Sequence, residues 1–237
     1  MTGKSRTTRI ADRYRYWHRD PNSDSSWPAL SITAINPISL SMLIGLTGTP
    51  GTGKTSVSRL LEKRRGWKVV YLNDLIKEEH LYSEVDEERD AVIADMEMIK
   101  ERLAGILEEE KNRNAEKEKR DAKKEESITI IESHLAHYIT DIVIVLRAYP
   151  PELKKRLEKR GYSEEKINEN AEAEAIDLIL AEAFEWCKKV FEVNTTGRPA
   201  EETAEDVEKI IDYLLSGEED ELSEYNPGSL NWIDSVP

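Results

Sequence analysis

Gly48-Thr49-Pro50-Gly51-Thr52-Gly53-Lys54-Thr55 is the feature that most narrows what this chain can fold into. It matches G-x-x-x-x-G-K-[ST] in full. Met42-Leu43-Ile44-Gly45-Leu46, a short apolar run of the kind a buried parallel strand makes, stands just before it. Helical spacing follows, with Val57, Leu60 and Leu61 on one side. A loop between a strand end and a helix start turns backbone N–H groups inward around a phosphate, and glycines keep side chains out of the way. In that setting Lys54 brings a point charge to the β/γ-oxygens of ATP, and Thr55 brings a hydroxyl to Mg²⁺. The segment therefore predicts ATP and Mg²⁺ as ligands.

Further apolar runs continue the pattern. Residues 68–72, 127–131, 141–146 and 189–193 read as strands, and helical stretches separate them. Alternation of this kind predicts an α/β fold of the P-loop NTPase type, a five-stranded parallel sheet with helices on both faces. Ile176, Ile179, Leu180, Ala183, Phe184 and Cys187 form an apolar stripe at helical spacing, so Cys187 reads as a packed residue rather than a nucleophile. A last helix is expected near 201–215, with Val207, Ile210, Ile211 and Leu214 facing inward.

Other segments are polar. Residues 108–126 carry eight acidic and seven basic side chains, which predicts a solvated continuation of the preceding helix. Taken as helix from residue 90 to 126, that stretch would be about 50 Å long and would project from the body. Residues 1–41 hold five arginines, then serine and proline, without a period; they read as a basic, disordered extension. The P-loop domain is expected over 42–215 and an acidic tail over 216–237, with Trp232 and Ile233 docking on the body. The net charge of −14 argues against generic binding to nucleic acid or an anionic membrane. One cysteine excludes an internal disulfide, and no run reaches the ~18 apolar residues of a membrane helix. A cytoplasmic protein is the expectation.

A phosphate loop needs a carboxylate at the end of a neighbouring strand, and Glu132 after Ile130-Ile131 offers one to orient a water on Mg²⁺. His134, two residues on, would share its side if the chain stays extended, and there it would orient water or relay a proton near the γ-phosphate. His137 reads as structural. Arg156 and Arg160 precede a helix break at Gly161, and Ser163-Glu164-Glu165 restarts a helix, which predicts a mobile basic lid. An ionised acceptor phosphate needs no strong base, so charge neutralisation and positioning carry the chemistry.

The run from Met42 to Thr55 resembles archaeal adenylate kinases of the nuclear adenylate kinase isoenzyme 6 type. Asn73-Asp74-Leu75, Glu132-Ser133-His134-Leu135, Val145-Leu146-Arg147, Arg156-Leu157-Glu158-Lys159-Arg160-Gly161-Tyr162 and Thr195-Thr196-Gly197-Arg198-Pro199 follow in the same order, and the Trp232-Ile233 ending is similar to that of archaeal members. The resemblance implies a nucleotide-monophosphate-binding region over about 71–94 and a lid over about 159–169. It implies that Gly51, Gly53, Lys54, Thr55 and Ser56 hold ATP phosphates, with Arg160 reaching over them and Arg198 beside the adenine. Asp74 lies where the AMP pocket begins. Implied activities are ATP + AMP giving two ADP, and ATP hydrolysis during small ribosomal subunit maturation. The implied partner is the ribosomal protein of the S11 type (eukaryotic S14). Neither membrane nor sequence-specific nucleic-acid binding is expected. Many members carry Asp at the position of Glu132, one methylene shorter.

Overall fold

The structure is a computed structural model and describes residues 41–86, 91–121 and 127–235. Its elements run β1 (Ser41–Thr47), α1 (Lys54–Arg65), β2 (Lys68–Tyr71), α2 (Leu72–Glu78), β3 (Tyr82–Asp86), β4 (Ala91–Ala94), α3 (Met96–Asp121) and β5 (Ser127–Glu132). After a short 3₁₀ turn at Ala136–Tyr138 come β6 (Ile142–Arg147), α4 (Pro150–Glu158), α5 (Glu164–Ala175), α6 (Leu178–Trp186), β7 (Lys189–Asn194) and α7 (Ala200–Ser216). The basic extension expected over residues 1–41 lies, up to residue 40, outside the described residues.

Five strands pair in the order β2-β5-β1-β6-β7, and every pairing is parallel. Side chains alternate across such a sheet, so each strand feeds two cores. Ile144 and Leu146 of β6 join Ile44, Leu46, Ile128 and Ile130 under α1 and α7. Val143 and Val145 point the other way, against Leu180 and Ala183 of α6. Ile131 packs on that opposite side with Ile76 of α2 and Ile99 and Leu103 of α3. The layers follow from period two in the strands meeting period 3.6 in the helices. The last helix buries Val207, Ile210, Ile211 and Leu214, as the sequence predicts. Leu222 and Tyr225 of the segment beyond it also lie in this core.

Three elements differ from the sequence-based expectations. Residues 91–94 are strand rather than helix: β3 and β4 form a separate antiparallel hairpin, with Val85 opposite Val92. The charged helix α3 consequently starts at Met96 and spans about 39 Å over its 26 residues. It also stays on the body as far as Asn114, because Lys68 pairs with Glu110 at 2.8 Å and Asn114 Nδ2 donates to Ser127 Oγ at 2.9 Å. Third, the apolar stripe from Ile176 to Cys187 does not lie on one helix: Asp177, at φ 56, separates Ile176, at the end of α5, from α6. Phe184 ends up exposed as a result, whereas Leu180 and Ala183 are buried. Among the described residues no helix is long and apolar enough to cross a membrane.

Candidate nucleotide site

Central strand β1 has β5 on one side and β6 on the other, so its carboxyl end opens into the crevice where an open α/β sheet binds ligands. The loop from Gly48 to Thr55 fills that crevice and leads into α1. Two glycines there are fixed by geometry. Gly48 has φ 135, and a Cβ on it would stand 2.3 Å from the Leu146 carbonyl oxygen. Gly51 has φ 95, and its Cβ would meet Leu153 Cδ1 of α4 at 2.8 Å. Only glycine adopts such backbone without strain, and nothing larger fits between loop and helix.

Lys54 is 6 % exposed. Its Nζ donates to the carbonyl oxygens of Gly48 at 2.7 Å and Thr49 at 3.2 Å, so the ammonium lies across the mouth of its own loop. Burial lowers its pKa to about 8, against the pull of Glu132 and Glu174, which favour the charged form; the Arg160 charge lowers it further. Glu132, at the last position of β5, is opposite Leu46 of β1 and accepts the Thr55 hydroxyl at 3.3 Å. Burial raises its carboxyl pKa, Lys54 and the Thr55 hydrogen bond oppose that, and the Asp74 charge adds to it. A hydroxyl and a carboxylate side by side at a helix start are hard oxygen donors, a set that suits Mg²⁺ held directly by Thr55 and through water by Glu132.

The remaining candidates fall into distinct places. Ser56 is exposed in the first turn of α1, and Gly53 precedes it at φ 106. Asp74 sits in the first turn of α2, close enough to act on Glu132. Its neighbour Asn73 accepts Ser133 Oγ at 2.9 Å, which ties the two motifs together. β5 ends at Glu132, so His134 lies in a turn and strand alternation does not set its direction; it is half-buried. His137 is buried beneath β1, with Nδ1 3.3 Å from Thr47 Oγ1. Its Nε2 is 3.3 Å from Glu182 Oε2 yet lacks hydrogen-bond geometry. Cys187 Sγ lies 3.2 Å from the His137 carbonyl, and burial pushes its thiol up to about 12, which suits a packed residue.

The two lid arginines separate. Arg156 is built into the frame: it donates to the Thr195 carbonyl at 2.8 Å, to Thr195 Oγ1 at 3.0 Å and towards Gly51 O at 3.4 Å. Arg160 is exposed after α4, no described carboxylate pairs with it, and its charge reaches Lys54 and Glu132. Arg198 is held by Asp206 at 2.6 Å and the Asn194 carbonyl at 3.1 Å. One buried cluster went unread in the sequence. Arg147, at the end of β6, pairs with Glu174, Glu192 and Asp177, and Glu174 also accepts the Thr49 hydroxyl. The available signal was Ala173-Glu174-Ala175, a carboxylate flanked by small residues that all become buried.

Fold and loop together define a nucleotide-binding protein with the P-loop kinase fold. The sequence matches the AAA domain family over residues 44–177. A protein of Methanosarcina mazei named "Putative adenylate kinase" is 86% identical over 196 residues, 83% of this chain and 100% of that protein. Proteins of the same name from Methanosarcina acetivorans and Archaeoglobus fulgidus are 74% and 37% identical, covering 83% and 82% of this chain and 100% and 94% of theirs. The chain therefore belongs to the AAA domain family and, within it, to the group of archaeal proteins these relatives represent. A solved shikimate kinase from Acinetobacter baumannii aligns at a TM-score of 0.45 and 16% identity, over 77% of this chain and 97% of that one, too distant to bear on the reaction.

Proposed function

We propose that the chain is an adenylate kinase of the isoenzyme 6 type, transferring the γ-phosphoryl group of ATP to AMP. The observation that carries this reading is the grouping of Lys54, Thr55 and Glu132 at the carboxyl edge of the sheet, with the Arg160 charge, which no described carboxylate pairs with, acting on Lys54. The names of the archaeal relatives support AMP as acceptor.

An oxygen of the AMP phosphate attacks the γ-phosphorus, the bond to the β,γ-bridging oxygen breaks, and ADP leaves with the electron pair. The attacking oxygen is already ionised, so no side chain has to remove a proton. Lys54 gives up its two carbonyl partners to the β- and γ-oxygens, and Arg160 closes from the lid onto charge that grows in the transition state. Gly51, Gly53 and Ser56 line the phosphate path, and Arg198 backs the adenine. Thr55 and Glu132 would hold Mg²⁺, which would supply charge neutralisation to the transferring phosphoryl group. Asp74 stands at the entrance of the monophosphate region, and its charge favours a site for the AMP sugar and base over its phosphate.

Water competes as acceptor, with His134 orienting it, and this hydrolysis belongs to small ribosomal subunit maturation in the cytoplasm. The net charge of −14 favours a basic protein partner there, of the S11 (eukaryotic S14) ribosomal type, over nucleic acid. A coupled assay of ADP formation from ATP with AMP, with other monophosphates and with water alone tests the assignment. AMP should give the highest rate, and an AMP rate no higher than the water background would end the kinase reading. In the same assay His134→Ala should depress hydrolysis more than transfer; equal losses argue against water orientation.

A further inference from the structure

Glu174 joins the phosphate loop to a part of the chain remote from the reaction. One of its carboxylate oxygens accepts the Thr49 hydroxyl. The other accepts Arg147 Nε at 2.8 Å and the Ala148 N–H at 2.9 Å. Arg147 Nη1 continues to Glu192 Oε1 at 2.7 Å, and the second Glu192 oxygen accepts the backbone N–H of Gly228 at 2.9 Å. Over the same guanidinium lies the indole of Trp232, its centroid 5.1 Å from Arg147 Cζ. A line of hydrogen bonds thus runs from Thr49 in the phosphate loop to Gly228, and the Trp232 ring lies over its central guanidinium.

The line is effective because it is dry. Arg147, Glu174 and Glu192 are 1 %, 2 % and 5 % exposed. Charges in such surroundings hold one another far more tightly than in water, and each keeps its geometry only while its partners stay in place. The indole sits where water would otherwise reach the guanidinium, and an aromatic face over a desolvated arginine is itself attractive. Tyr149 meets the indole edge-on at 6.1 Å and fixes its tilt. Water admitted here would give Arg147 another partner and free Glu174 to turn away from Thr49.

We propose that residues 226–235 form a positioning element for the phosphate loop, with Trp232 as the positioning residue. By sealing the Arg147 cluster it holds Glu174, and through Glu174 it holds Thr49 and the loop in the shape that receives a phosphate. Only the ligand arm of the test rests on the nucleotide reading above.

Amide hydrogen exchange on the full chain without nucleotide reads the loop directly. Trp232→Ala should speed exchange of the Thr52 amide, which donates to the Thr49 carbonyl at 3.2 Å, about ten-fold while the amides of α7 keep wild-type protection. Trp232→Phe, which keeps an aromatic cover, should restore slow exchange. Ile233→Ala, at a half-exposed neighbour in the same segment, should leave the loop unchanged. In parallel, Trp232→Ala should weaken ATP binding about ten-fold, in line with the loss of one desolvated cation–π contact. Wild-type loop exchange in Trp232→Ala overturns the proposal. So does an equal rise in α7, which means general loosening, and so does failure of phenylalanine to restore protection. Should the wild-type chain bind no ATP while the loop still responds to Trp232→Ala, the nucleotide reading fails and the positioning role stands.

Discussion

At Lys54 two requirements of a phosphate site oppose each other. The loop must exclude water to make its charge effective, and excluding water makes that charge harder to keep. Glu132 and Glu174 offset part of the loss, and the balance leaves the ammonium with a pKa of about 8. A bound polyphosphate adds negative charge at 3 Å scale and raises that value again, so ATP binding takes up a proton over the interval between the two. Affinity should be flat below about pH 8 and fall towards ten-fold per pH unit above it. Titration calorimetry in buffers of different ionisation enthalpy should show almost no proton uptake near pH 6.5 and close to one proton near about pH 9. The same shift acts on stability without ligand. Between about 8 and the ordinary 10.5 the unfolded chain binds the extra proton, so this lysine makes the folded state gain stability as pH rises through that window. Equal ATP affinity on both sides of about pH 8 would mean that burial does not lower the Lys54 pKa in the folded chain.

Helix α4 and the phosphate loop behave as one unit, since Leu153 and Leu157 pack on Gly51 and Arg156 reaches its carbonyl. Comparing two glycines separates backbone strain from packing. Gly53, at φ 106, has open space where a Cβ would go, whereas Gly51, at φ 95, has Leu153 at 2.8 Å and Leu157 at 3.0 Å. Both Gly→Ala variants bear the positive-φ penalty of about 1–3 kcal/mol. Gly51→Ala should lose at least about 1 kcal/mol more, because α4 must also move. Urea unfolding of the two variants measures the difference, and equal losses would mean that α4 is not packed on the loop. This element scale is also where sequence reading succeeds and fails for physical reasons. β5 and β6 were legible because both faces are buried, leaving continuous apolar runs. The β3–β4 hairpin was not, because Ser83-Glu84 interrupts β3 and the apolar run of β4, Ala91-Val92-Ile93-Ala94, continues into α3 and reads as its first turn. Likewise the break at Asp177 has no glycine or proline to announce it; Arg147, from another element, holds the Asp177 carboxylate and the Glu174 carbonyl just before it. The phosphate loop was legible because eight consecutive residues make it, whereas the arginine cluster joins residues 27 and 45 positions apart.

Across the whole molecule, charge is arranged on two energetic scales. On the surface, Arg65 pairs with Asp212 between α1 and α7, with side chains 31 % and 50 % exposed. Such a pair contributes at most about 1 kcal/mol, since water and salt screen it. Arg147 is the opposite case: it joins β6, α5, the turn before α6 and β7, and its guanidinium and its partners Glu174 and Glu192 are buried. Replacing it with methionine keeps the volume roughly constant and leaves Glu174 and Glu192 buried without their cation. Breaking a buried pair from one side typically costs about 3–5 kcal/mol. Spread over a domain of this size, that corresponds to a fall in Tm of roughly 6–20 °C. Arg147→Met should therefore melt far below wild type, while Arg65→Met should lie within about 1 kcal/mol of it. The comparison is sharper than either variant alone, because both remove one arginine and shift the net charge equally. If the two variants unfold at the same urea concentration, the buried cluster is not what joins the elements around the phosphate loop. Restoring Arg147→Met by also replacing Glu174 and Glu192 with glutamine would show that the loss came from uncompensated carboxylates rather than from lost packing. That triple variant should recover stability, yet its loop would lack the charged acceptor that fixes Thr49.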